Sequence, residues 1–376
     1  MMQYRNWAEL DPNLLFHIYK KLYDTFDFIR FRAVCKEWCA AAPLSEHPPQ
    51  FPLLLEGDPN PLLSSEFKVY SLSTGKTHSL QLPEAQNKMF FGQSQGYLVT
   101  FGIGDDSTPV LLNPFTRAEM PLPFKKCNYY SPVYISADPI QNPDGLLIHL
   151  RCPEKGHRLA VWNKEEKNWH FAQTEAGSEG VCHKGKLFIC CDMGTVAIDL
   201  NTGGNLLPVR RSNKMRPFYC LIDAGSALLG IVQYHLCTDG MSLENCWFDV
   251  YRLEEEEPPH WVKLSDIGDL MIFLNSNNGF CLSADDFDGI RGNCIYFTKW
   301  YAKNDNNYRT LIGRYELGEK RSEVVGHSRH SGGTWIVPNV YSKIVTTKKE
   351  KLQSCFVLTT ISKKKQQFGI LAKRCR

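Results

Sequence analysis

The sequence predicts a mainly β protein in which a small N-terminal helical module precedes a β-propeller of about six blades, each of four antiparallel strands. Three observations carry that expectation. Apolar residues in the first 46 positions recur at helical spacing, and the Pro-rich stretch PLSEHPPQFP (43–52) then breaks the pattern. Beyond it, short segments rich in Val, Ile, Tyr, Phe and Trp recur between Gly, Asn, Asp and Pro turns, as in a sandwich, barrel or propeller. A weak unit of about 40 to 50 residues repeats, and this favours the propeller.

The first helix starts at Asp11-Pro12, where a carboxylate can accept from open backbone amides and Pro at the first helical position loses no hydrogen bond. Leu14, Leu15, Ile18 and Leu22 follow on one face. Asp27 is the expected cap of a second helix carrying Phe28, Phe31, Val34, Cys35 and Trp38. Five repeat units lie between about Lys88 and Tyr315, with FKVYSLSTGKTHSLQLP (67–83) left over in front and EVVGHSRHSGGTWIVP (323–338) behind. Together the leftovers would complete a last blade closed by both ends, which removes exposed sheet edges. The expected division is a helical module at 1–46, a linker at 47–66, the propeller at 67–340 and a basic tail at 341–376.

The tail carries net charge +9 and the rest of the chain −6, so a dedicated nucleic-acid-binding face is not expected. Residues 1–46 hold six basic and six acidic side chains, and that neutrality argues against phosphate binding by the module. The tail's KKEK (348–351), KKK (363–365) and KRCR (373–376) read as a solvated segment or as a nuclear-targeting or polyanion-binding one. No run of 18 apolar residues occurs, so no membrane partner is expected, and the start MMQYRNWAEL lacks the features of a signal peptide. The 14 scattered cysteines then read as reduced thiols of a cytoplasmic or nuclear protein.

GQSQG (92–96) matches the spacing of a nucleophile elbow around Ser94, but an elbow joins a strand to a helix, and MFFGQSQGYLVTF reads as two strands around a hairpin. Cys35 and Cys39 have the spacing of a ligand pair without a second pair nearby, and His327 and His330 stand in an apparent loop. The acidic runs 254–257 and 285–288 do not reproduce a calcium loop. There is no phosphate-binding Gly-rich loop, so no metal, cofactor or catalytic residue is expected.

The apolar inventory of the module exceeds what about 40 residues can bury alone, which points to a docking surface or to packing against the β domain. WAELDPNLLFHIYKKLYDTFDFIRFRAVCKEWCAA resembles an F-box, with Trp7, Leu10, Leu14, Leu15, Ile18, Leu22, Asp27, Arg30, Arg32, Val34, Cys35 and Trp38 on the pattern. It departs at Asp11, where the pattern has Pro, and at Cys39, where it has Arg. FKVYSLSTGKTHSLQLP, VLLNPFTRAEMPLP, FDVYRL, WVKLSDIGDLMIFL, GNCIYFT and TWIVPN resemble the propeller of plant F-box proteins of the KIB type.

That resemblance implies a non-catalytic substrate receptor of an SCF-type cullin-RING ubiquitin ligase. A Skp-type adaptor, linked to cullin and RING subunits, would dock on Leu10, Pro12, Leu14, Leu15, Ile18, Leu22, Val34, Cys35 and Trp38. Some of these would double as the module's own core, and the propeller would hold a target protein. The alternatives are a propeller scaffold acting outside any ligase, with the helices as a packed cap, and a serine hydrolase using Ser94.

Overall fold

The computed structural model describes residues 7–56, 65–102, 108–122, 133–135, 148–152, 158–163, 168–173, 180–191, 194–199, 209–210, 216–235, 243, 245–275, 278–304, 307–328 and 333–339. The expected tail, 341–376, lies outside them.

Helix α1 (Pro12–Tyr19) begins as anticipated, with Asp11 Oδ1 accepting from the Asn13 amide at 2.8 Å. Helix α2 (Thr25–Arg32) is capped by Asp24 rather than by Asp27. Asp24 is extended, so its Oδ1 reaches the amides of Phe26 (2.9 Å) and Asp27 (3.1 Å). Asp27 is already inside the first turn and pairs with Arg30 at 2.7 Å. The single second helix expected to reach Trp38 is interrupted. Cys35 is extended, with φ −159°, and starts a separate α3 (Lys36–Ala41).

The strands run β1 (Leu53–Leu55), β2 (Glu66–Ser71) and β3 (Lys76–Gln81), then β4 (Lys88–Ser94), β5 (Tyr97–Gly102), β6 (Val110–Leu112) and β7 (Glu119–Pro121). Next come β8 (Val133–Ile135), β9 (Ile148–Cys152), β10 (Arg158–Asn163) and β11 (Asn168–Gln173), followed by β12 (Gly180–His183), β13 (Lys186–Cys191), β14 (Gly194–Asp199) and β15 (Val209–Arg210). Then β16 (Cys220–Asp223), β17 (Leu228–His235), β18 (Cys246–Glu254) and β19 (His260–Leu264) precede β20 (Leu270–Leu274) and β21 (Gly279–Ser283). The last are β22 (Cys294–Asn304), β23 (Asn307–Glu316), β24 (Arg321–Ser328) and β25 (Thr334–Ile336).

Two-residue turns make the hairpins. Gln95-Gly96 and Lys184-Gly185 both have positive φ at each position, the twist that matches flanking antiparallel strands. The molecule is a β-propeller. Among the described residues five sheets follow the four-stranded pattern, β4 to β7 for example, where six such blades were expected. The sheet β21-β20-β22-β23-β24 does not: it has five strands and a parallel pair, Met271 opposite Cys294 through Phe273 opposite Tyr296. After β21 the chain makes a one-turn helix at Ala284–Asp286 and re-enters beside β20 in the same direction, which a hairpin cannot do.

Two boundaries move. The expected linker contains β1, which pairs β2 on one side and β25 on the other, Leu53 opposite Ile336. The rear leftover divides, since Arg321–Ser328 belongs to the five-stranded sheet and only Thr334–Ile336 joins the sheet β25-β1-β2-β3. Leu53, Leu54 and Leu55 are all buried, so β1 reads as a continuous apolar run and shows no alternation.

Apolar side chains fill the seams between neighbouring sheets. Phe51, Leu54, Phe273, Phe287, Tyr296 and Trp335 pack between the sheet containing β1 and the five-stranded one. Leu53, Phe67, Val69, Leu98, Leu112 and Phe115 fill the seam on the other side. Gly326 lets the Tyr70 hydroxyl approach, because a Cβ there would lie 2.5 Å from it. Among the described residues no helix is long and apolar enough to cross a membrane.

Candidate docking surface on the helical module

The helices have a small core of Leu15, Tyr19, Phe28, Phe31 and Ala42, with Leu10, Leu22, Trp38 and Ala41 packed against it. Leu15 is 2% exposed, so it supports the surface from beneath and is not available to a partner. Leu14 and Ile18, one helical turn apart on the same face of α1, are 52% and 41% exposed. Val34, in the break between α2 and α3, is 54% exposed, and Trp7 is 62% exposed. The nine expected docking residues therefore divide: Leu14, Ile18 and Val34 are exposed apolar groups, Pro12 is exposed at the helix start, and Cys35 is half-buried at the cap of α3.

Local bonds hold this arrangement. The Trp38 indole donates to the Trp7 carbonyl at 2.9 Å and stacks at a tilt on Phe31, ring centres 4.6 Å apart. Arg32 Nη1 donates to the carbonyls of Ala42 and, at 3.4 Å, Cys39, which ties the end of α3 back to α2. His47 meets the Phe28 ring edge-on at 4.8 Å; burial, with help from Arg32 and Lys20, pushes its imidazole down to about 4.

The opposite side of the module meets the propeller, through residues that the sequence reasoning missed. Asp24 is 5% exposed, and besides capping α2 it accepts through Oδ2 from the Ser71 hydroxyl. The Tyr23 carbonyl accepts from the Phe51 amide at 2.8 Å, and the Tyr23 ring meets Phe287 at 5.4 Å. Phe26 stacks on His78, centres 4.0 Å apart, and Lys21 pairs with Asp288 at 2.8 Å. The sequence signal available was Asp24 directly before Thr25 and Phe26, a capping dipeptide as good as the one centred on Asp27. Its burial against Ser71 depends on residues 47 positions apart in the chain.

Residues 69–325 match the family described as KIB1-4 beta-propeller. The chain belongs to the KIB1-4 β-propeller family. As relatives it has two F-box/kelch-repeat proteins of Arabidopsis thaliana. One is 25% identical over 362 residues, covering 85% of this chain and 89% of the relative; the other is 26% identical over 355 residues, covering 88% and 94%. In both respects it is similar to plant F-box proteins with a KIB-type propeller. Among solved structures, TolB from Acinetobacter baumannii aligns with a TM-score of 0.44 at 9% identity, over 76% of this chain and 64% of that one.

The other motifs are placed as follows in this KIB-type chain. Ser94 ends β4 at the Gln95-Gly96 hairpin, is buried, and exchanges hydrogen bonds with the Ile135 backbone, its hydroxyl accepting at 3.1 Å and donating at 3.3 Å. A nucleophile elbow needs a helix after the serine and an exposed oxygen, and neither is present at Ser94. Burial raises the Cys182 thiol to about 12 and the Cys281 and Cys294 thiols to about 11, which makes them poor nucleophiles. Among the described residues no group of three or more His, Cys, Asp or Glu side chains is placed to hold a metal ion. His330 lies outside those residues.

Proposed function

We propose that this protein is the substrate-recognition subunit of an SCF-type cullin-RING ubiquitin ligase. The observation that carries the proposal is the exposure of Trp7, Leu14, Ile18 and Val34 on a module whose other side is already packed on the propeller. Large apolar groups left in water at defined positions favour a partner, each gaining about 1.5–3 kcal/mol on full burial before association costs are subtracted. The partner is a Skp-type adaptor, which brings cullin and RING subunits. Leu10, Leu15, Leu22 and Trp38 support the surface from within, and Pro12 and Cys35 set the ends of its helices. The chain supplies positioning and no catalytic group. Its propeller presents a target protein in cytoplasm or nucleus.

Co-purification with a Skp-type adaptor tests this. Leu14→Asp with Val34→Asp should reduce adaptor recovery by about 100-fold or more, because both charges would be buried unpaired in the complex. Retention at the wild-type level sinks the proposal. Leu15→Asp is unsuitable, since it would disrupt the helical core. The packing of Tyr23 and Phe26 on the propeller favours a second reading, a scaffold outside any ligase with the helices as a cap. In that case the adaptor would be missing from purified complexes while the propeller still recruited its partner.

A further inference from the structure

The turn between α1 and α2, with the first turn of α2, packs against the seams joining three adjacent sheets. Tyr23 joins the apolar cluster in the seam between the β1 sheet and the five-stranded sheet. Phe26, two residues beyond Asp24, joins the cluster in the seam between the β1 sheet and the β4 sheet. Asp24 sits between these insertions with its carboxylate divided, Oδ1 on the α2 amides and Oδ2 on Ser71 at the end of β2, with Ser73 at 3.5 Å. Two further hydrogen bonds, both to backbone carbonyls of the turn, continue the junction. The Phe51 amide donates to the Tyr23 carbonyl and the Gln50 side chain donates to the Leu22 carbonyl at 3.0 Å, so the chain leading into β1 is tied to the helices as well.

We propose that Asp24 is a positioning residue that fixes the helical module in one orientation on the propeller, so that the exposed face of α1 stands at a set angle to the target-binding domain. Two apolar insertions in separate seams resist rotation about either one. A buried carboxylate with donors from both bodies resists their separation, because parting leaves a charge or a hydroxyl without its partner. The exposed Lys21 and Asp288 pair adds little, since both side chains are largely in water. The consequence for ubiquitin transfer rests on the proposed function: a fixed angle restricts which part of a bound target reaches the ligase. The docking itself does not depend on that reading.

The test measures the distance distribution between module and propeller in the full chain, alone and after addition of a Skp-type adaptor. Dyes are introduced at His17 and Glu319 through a non-natural amino acid, since 14 cysteines preclude thiol labelling. The wild type should give one narrow distribution. Asp24→Ala combined with Phe26→Ala should broaden or shift it while adaptor recovery stays at the wild-type level, and Asp24→Asn with Phe26 intact should restore it. A broad distribution in the wild type, or a narrow one unchanged in the double variant, overturns the proposal. A narrow wild-type distribution without any adaptor binding would overturn the ligase reading alone.

If the double variant fails to fold, Ser71→Ala serves instead, read by hydrogen exchange of the Phe51 amide. Removing the donor to a buried carboxylate should speed that exchange by about tenfold. Unchanged exchange overturns the proposal.

Discussion

The Ser71 hydroxyl donates to the Asp24 carboxylate across the junction of helices and propeller, and both residues are buried. One carboxylate thereby serves as a helix cap and as a link between the two parts of the chain. Asp24→Ala should therefore cost more than an ordinary cap deletion, about 2.5–4 kcal/mol, combining about 1 for the cap with about 1.5–3 for the lost bond from Ser71 to a charged group, although the hydroxyl keeps Ser73 Oγ at 3.1 Å. Asp24→Asn keeps an acceptor at the cap and should cost clearly less. Urea unfolding of both variants checks the order.

Glycines 96 and 185 share a turn geometry and differ in surroundings. A Cβ at Gly96 would lie 2.8 Å from the Val337 carbonyl, whereas at Gly185 nothing is within 4 Å. Gly185→Ala should cost only the left-handed backbone term, about 1 kcal/mol. Gly96→Ala should cost about 1–3 kcal/mol more, because the chain following β25 must shift. Equal losses in thermal melts would contradict this contact.

Asn275 holds β25 in place from the five-stranded sheet. Its Oδ1 accepts from the Trp335 amide at 2.6 Å, and its Nδ2 donates to the Trp335 carbonyl at 3.3 Å and to Asn278 Oδ1 at 3.0 Å. Asn275→Leu should destabilise by about 2–4 kcal/mol, because the buried Trp335 amide loses its acceptor. Asn275→Asp should lie between, keeping the acceptor while losing the donor. Denaturant midpoints at constant slope would show it.

Acid should loosen the helical module. Folded His47 titrates near 4, below the 6.5 of a free imidazole, so between these values the unfolded chain binds more protons. The stability from neutral His47 is fully present above about 6.5 and is lost as the pH falls toward 4. The melting temperature should drop from pH 7 to pH 5, and His47→Leu should make that drop smaller. An identical drop in the variant would show that other groups dominate.

Much of the architecture was legible in the chain. Asp11-Pro12 announced α1, and the leucine spacing put Leu14, Leu15, Ile18 and Leu22 on one face, but spacing does not separate Leu15, buried, from Leu14 and Ile18, exposed. Leu14 and Leu15 are adjacent on the helix, and only the position of α2 and α3 decides which is covered. The hairpin at Gln95-Gly96 was legible because it depends on two residues and a local backbone preference. β1 was not, because three leucines after a Pro-rich run have no period, and its partners Ser71 and Ile336 are remote in sequence.

What the sequence alone determined is the part set by near neighbours: the helix starts, the strand and turn alternation, the repeat, and the F-box and KIB-type patterns. The tertiary structure decided the rest: the parallel entry of β22 beside β20, the division of the docking residues into exposed and supporting, and the seating of Asp24 on Ser71. The physical reason is that local backbone preference acts over a few residues. Burial and hydrogen-bond partnership depend on which distant segments the fold brings into contact.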